Sequence, residues 1–123
     1  MPKKKILLVD DSKTVLFVER TALRGSPYEV VTAANGEECL AQVAADRPDL
    51  ILLDLVMPVM DGFETCRKLR SNPATREIPI VIVTTRGEAE NVAAGRESGC
   101  SAYLTKPINN AELLAKIREL LGD

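Results

Sequence analysis

Asp10, Asp11 and Asp54, with Thr84 and Lys106, stand at or just past the ends of short apolar runs. Together these residue types handle phosphate and divalent cations. Neighbouring carboxylates repel, each pair by about 4 kcal/mol at about 4 Å and an effective dielectric of about 20. Three of them hold together only when protons or cations neutralise the cluster. Mg2+ suits it, because it prefers hard oxygen ligands and keeps several waters. Lys106 adds a fixed positive charge and Thr84 a hydroxyl. Taken singly, each residue has a plainer reading. The aspartate pair can cap a helix, Asp54 can end a strand, Thr84 can be a β-branched strand terminus and Lys106 a surface lysine. The functional reading rests on their convergence.

That convergence depends on the elements between them. Apolar runs at Lys5–Val9, 28–33, 50–53, 78–83 and 102–104 read as strands. Run 50–53, Leu-Ile-Leu-Leu, is the most apolar, as expected of a central strand covered on both faces. Helical patterns alternate with the strands. Ser12 caps a helix to about residue 23, Asn35 one to about 46 and Asp61 one to about 70. A thinner apolar stripe spans 88–97 and stops at Gly99, and a final helix from about Asn110 carries Leu113, Ile117, Leu120 and Leu121. Strict βα alternation predicts a doubly wound α/β fold with a parallel sheet. In such sheets ligands bind outside the carboxyl ends of the strands. All five polar residues fall there.

Composition narrows the function further. A chain of 123 residues fits one domain spanning 1–123, with neither repeats nor linkers. Its 16 basic and 18 acidic residues give a net charge of −2, which argues against nucleic acid as a partner. The lysines at 3–5 read as a solvated lead-in to the first strand. No apolar stretch reaches the roughly 20 residues of a membrane span, so the chain reads as cytoplasmic. Cys39, Cys66 and Cys100 lack the paired spacing of a zinc site, and the chain has no histidine. They read as reduced structural thiols.

With these residues in place, the chain resembles a response-regulator receiver domain of the stand-alone, chemotaxis type. The stretch 54–62, Asp-Leu-Val-Met-Pro-Val-Met-Asp-Gly, is similar to the family's phosphoacceptor segment. Asp10-Asp11 resembles its acidic pair, Thr84 its switch hydroxyl, Lys106-Pro107 its lysine–proline element and Tyr103 its switch aromatic. The resemblance implies a flavodoxin-like (βα)5 sandwich of three layers with strand order 2-1-3-4-5. It implies two-component phosphorelay signalling, in which Asp54 takes a phosphoryl group from the phosphohistidine of a sensor histidine kinase or histidine phosphotransfer domain. Mg2+, for which Mn2+ can substitute, would be held by Asp10, Asp11, Asp54 and the backbone carbonyl of Val56. Thr84 and Lys106 would each bind a phosphoryl oxygen.

Structural roles implied by the same resemblance fall to Pro58, Asp61, Gly62 and Pro107. Switching through Thr84 and Tyr103 would reshape the surface of the fourth helix, fifth strand and fifth helix for a target protein or a second copy. Val56, Thr85 and Arg86 depart from fast self-dephosphorylating relatives and imply a long-lived phosphoryl group. The implied protein is a phosphoacceptor rather than an enzyme, limited to self-phosphorylation and slow self-dephosphorylation. Two other readings compete with it. An aspartyl-nucleophile, Mg2+-dependent phosphatase would need a second aspartate at position 56, where valine stands. A receiver fragment of a larger regulator would share the same site.

Overall fold

The strand most apolar in sequence, β3 (Leu50–Asp54), is buried at every position and lies at the centre of a five-stranded parallel sheet. In this computed structural model the described residues are 3–55, 57, 59–85, 99–106 and 109–123. Thr85 is described in its backbone alone. The other strands are β1 (Lys5–Val9), β2 (Glu29–Ala33), β4 (Ile80–Thr85) and β5 (Ala102–Lys106), in the order β2-β1-β3-β4-β5. Four described helices connect or follow them: α1 (Lys13–Leu23), α2 (Gly36–Ala45), α3 (Gly62–Arg70) and α4 (Asn110–Leu121). The helix expected over 88–97 lies outside the described residues, as do Val56, Pro58, Arg86 and Pro107.

Period-two alternation along the strands sorts side chains between two cores. Ile6, Leu8, Leu50, Leu52, Val81, Val83 and Leu104 point to the layer of α1 and α4, where Leu23, Leu113 and Ile117 meet them. Leu7, Val9, Ile51, Leu53, Ile80 and Ile82 point to the layer of α2 and α3, which contributes Cys39, Val43, Cys66 and Leu69. The result is the three-layer flavodoxin-like sandwich.

Local chemistry sets the helix starts as read from sequence. Ser12 Oγ accepts from Val15 N, Asn35 Oδ1 from Glu38 N, and Asp61 Oδ1 from Glu64 N. Glu38 in turn accepts from Ala34 N, much as in a capping box. The lysines at the start are also tied down. Lys4 bonds the Leu121 carbonyl and Asp123, and Lys5 pairs with Asp46 and Glu29.

Strand boundaries differ from the apolar runs in an instructive way. β4 begins at Ile80 rather than 78, because Ile78 N is engaged by Thr75 O in a turn and Pro79 has no N–H to give. Its far end reaches Thr85, and β5 likewise continues to Lys106. Thr84 and Lys106 are therefore strand residues in register with Thr105 and Thr85, rather than residues just past strand ends. Ladder hydrogen bonds hold their backbones. Arg70 fastens the entry to β4 and β5, donating to the carbonyls of Gly99, Arg76 and Ile78 and to Ser101 Oγ.

Candidate functional site

Asp54 closes β3, and two features fix its place. Leu55 N donates to Val83 O, extending the ladder past the acid, and Gly62 N donates to Leu55 O. Gly62 opens α3 against the strand so closely that a Cβ there would lie 2.6 Å from the Asp54 carbonyl oxygen and 2.9 Å from Leu55 Cα. Only glycine permits that approach. Between them the loop turns through Val59, whose φ of 71° is left-handed, an unusual state for a β-branched residue.

Alternation puts Asp54 two residues beyond Leu52, and Lys106 two beyond Leu104, so both belong to the α1/α4 side of the sheet. Lys106 Nζ reaches Asp54 Oδ1 at 2.9 Å and Asp10 Oδ2 at 3.4 Å. Asp10 is buried, its backbone N donates to Ala33 O, and its Oδ1 accepts from Ser12 N. Asp11 is exposed and makes no hydrogen bond or ion pair among the described residues. Asp10, Asp11 and Asp54 each offer a carboxylate oxygen within 4.8 Å of the others. Three convergent hard oxygens, one set of them free, fit a divalent cation that keeps part of its water shell.

The electrostatics agree. Burial pushes the Asp54 carboxyl above its ordinary range, and Asp10 and Asp11 push it further, against the lowering by Lys106. Burial acts on the Lys106 ammonium in the opposite sense, but Asp54 and Asp10 outweigh it and hold Lys106 above its ordinary value. The site thus carries more negative charge than one lysine neutralises, and a cation would relieve the excess.

Thr84 is buried and continues the row of Ile80 and Ile82, on the α2/α3 side. Tyr103 packs on the same side and stands in register with Ile82. The pair expected to switch therefore shares one face of adjacent strands. Asp61 is the α3 N-cap, as expected.

Sequence reasoning misses one buried acid outside that carboxylate trio. Glu19 of α1 is buried between the two apolar residues of its stripe, Leu16 and Leu23, and its Oε1 has no hydrogen-bond partner among the described residues. Burial, followed by Asp10, raises its pKa to about 8; Asp54 adds to the rise and Lys106 opposes it. The signal for it is a carboxylate at a position where helical spacing calls for an apolar side chain.

The carboxyl edge of this parallel α/β sheet thus carries a carboxylate trio, a lysine and a hydroxyl. Comparison with known proteins specifies it: the response regulator receiver domain matches residues 6–118, and the chain belongs to that family. Response regulator PleD of Caulobacter vibrioides is 46% identical over 116 residues, covering 94% of this chain and 26% of PleD. The chemotaxis protein CheY4 of Vibrio cholerae superposes with a TM-score of 0.92 at 36% identity, covering 98% of this chain and all of that one. The receiver domain of sensor histidine kinase PA1611 from Pseudomonas aeruginosa, with a magnesium ion coordinated in its active-site cleft, gives a TM-score of 0.91 at 30% identity over 99% of this chain and 100% of that chain. The chain spans between 26% and 50% of the length of its curated relatives, some of which are transcriptional regulators. No described helix is long and apolar enough to cross a membrane.

Proposed function

We propose that this receiver domain accepts a phosphoryl group on Asp54 from a histidine kinase or histidine phosphotransfer domain, and that Mg2+ is required. The observation that carries the reading is the trio of carboxylate oxygens within 4.8 Å of one another, with Lys106 2.9 Å from Asp54. Magnesium held by Asp10, Asp11, Asp54 and the Val56 carbonyl would offset charge on the phosphoryl oxygens. An Asp54 carboxylate oxygen forms the new bond to phosphorus, the phosphorus–nitrogen bond of phosphohistidine breaks, and its electron pair stays on the imidazole. Lys106 would then exchange a carboxylate partner for a phosphoryl oxygen, and Thr84 would donate to another.

Thr84 and Tyr103, on one face of β4 and β5, are suited to carry the change to the surface around β5 and α4. Phosphorylation shifts this equilibrium only through contacts that differ between the two states. Thr84→Ala should still take phosphate but lose phosphorylation-dependent capture of its target or second copy; normal switching by that variant would place the coupling elsewhere. Val56, Thr85 and Arg86 favour a persistent phosphoryl group, and Val56→Asn should speed its loss in a decay time course. The net charge of −2 favours protein partners over nucleic acid, and the domain works in cytoplasmic signalling. Acetyl phosphate tests the acceptor role: labelling should need Mg2+ and vanish in Asp54→Ala. Undiminished labelling of that variant would refute the assignment.

A further inference from the structure

The outer stripe of α1 carries charge that the fold leaves unused. Residues seven and eleven apart nearly repeat the helical turn, so Lys13, Arg20 and Arg24 lie within about 40° of one another. All three are exposed, and their side chains make no hydrogen bond or ion pair among the described residues. Lys4, Lys5, Lys106 and Lys116 each find a carboxylate. Phe17 stands in the same stripe and is 66% exposed. A charged helix face is ordinarily only solvated, but this one walls a groove. The groove, of about 580 Å3, runs between α1 and the outer edge of β2 at Thr32 and Ala33. Its one acid, Glu38, is already turned to Ala34 N.

The facing wall is an open strand. β2 ends the sheet on that side and pairs with β1 alone among the described residues. Glu29 N donates to Lys4 O and Ala33 O accepts from Asp10 N, so residues 29, 31 and 33 face β1. Alternation turns the N–H and C=O of Val30 and Thr32 outward, and neither proline nor bulge interrupts the strand. A second copy pairing through this edge would set the cations of α1 against their own kind, so charge selects a different chain. We propose that the groove takes an extended acidic segment of a partner protein, which adds to β2 as a further strand. Its main chain bonds Val30 and Thr32, its carboxylates meet Lys13, Arg20 and Arg24, and an apolar residue covers Phe17. From Lys13 to Arg24 the stripe spans about 16 Å at about 1.5 Å per residue, the reach of about five strand residues at about 3.3 Å each. Arg20 and Arg24, about 6 Å apart along α1, match the spacing of about 6.6 Å between alternate residues on one strand face. A small anion would meet only part of that row. The inference is independent of the phosphoacceptor reading.

The synthetic peptide Thr-Glu-Val-Glu-Val-Leu-Val-Glu-Thr, capped at both ends, tests this on the whole chain. Its glutamates and leucine alternate with the other residues and so share one face. Fluorescence anisotropy reads its affinity, and amide hydrogen exchange reads its place. In the free protein the Val30 and Thr32 amides should exchange fast while Val31 and Ala33 are protected. Bound peptide should slow Val30 and Thr32 by about tenfold or more. Arg20→Glu combined with Arg24→Glu should weaken binding about tenfold, as should glutamine in place of the peptide's glutamates. Protection at Val31 and Ala33 reports that the variant's sheet is intact. No binding of the peptide, equal affinity for the glutamine version, or binding that leaves Val30 and Thr32 exchange unchanged would each overturn the proposal. Protection of those two amides in the protein alone, growing with its concentration, would give the edge to a second copy and overturn it too. So would a preference for a double-stranded oligonucleotide over the peptide, which would make the stripe a nucleic-acid surface.

Discussion

Replacing Glu19 with leucine should stabilise this protein at neutral pH in the absence of divalent cations. In the unfolded chain the carboxyl ionises near its ordinary value of 4.5, whereas the folded protein holds it to about 8. Between those values the native state binds the proton and the unfolded state does not, so stability falls as pH rises through the window. At pH 7 the penalty spans about 2.5 pH units, or about 3 kcal/mol at about 1.4 kcal/mol per unit. Glu19→Leu removes it and extends the apolar stripe of Leu16 and Leu23. The gain should be small below about pH 4.5, grow steadily through neutrality and level off above about pH 8. Urea denaturation in chelator-containing buffers at several pH values measures this, and at pH 7 the melting temperature should rise by roughly 10 °C. Any packing change from the leucine adds the same offset at every pH and leaves the slope readable. A difference between variant and wild type that does not change with pH would refute the reasoning.

Other predictions follow from single contacts. Val59→Asn should stabilise the domain by about 1 kcal/mol by relieving a left-handed β-branched residue, seen as a higher urea midpoint with unchanged slope. Gly62→Ala should destabilise by about 1–3 kcal/mol, because its Cβ would press on backbone atoms of Asp54 and Leu55, and should slow phosphorylation in parallel. Full stability in that variant would mean that the α3 start has room to move. Asp11→Asn should weaken Mg2+ binding by about tenfold (about 1.4 kcal/mol) and by more than Asp10→Asn, since Asp10 already commits its oxygens to Ser12 N and Lys106. Equal losses in a Mg2+ titration would contradict that ranking.

Much of this site is legible in the sequence alone, for physical reasons. A buried parallel strand must be apolar on both faces, so Ile6–Val9 and 50–53 stand out, and their ends locate Asp10, Asp11 and Asp54. The caps Ser12, Asn35 and Asp61 are readable because an N-cap oxygen acts on a backbone N–H within the next turn. For Thr84 and Lys106, apolar patterning finds the rim but sets them one and two residues past the runs, outside strands that in fact contain them. Ladder pairing with a neighbour, rather than local hydropathy, decides where a strand stops. Long-range proximity is not legible at all. Cys39 and Cys66, distant in sequence, lie near enough across α2 and α3 that Cys66 adds to burial in pushing the Cys39 thiol up to about 12. No disulfide joins Cys39, Cys66 and Cys100 among the described residues. The Gly62 contact with Asp54 and the burial of Glu19 likewise exist only once the layers pack.

The central claim is that Asp54 is the atom-bearing acceptor, and trapping the acyl phosphate tests it most directly. Protein labelled with acetyl phosphate and Mg2+ is reduced with borohydride, which converts an aspartyl phosphate to homoserine, and the site is read by peptide mass spectrometry. Homoserine should appear at position 54, only in samples that received both reagents. Homoserine at Asp10 or Asp11, or a phosphate that resists reduction because it sits on a serine or threonine hydroxyl, would contradict the account.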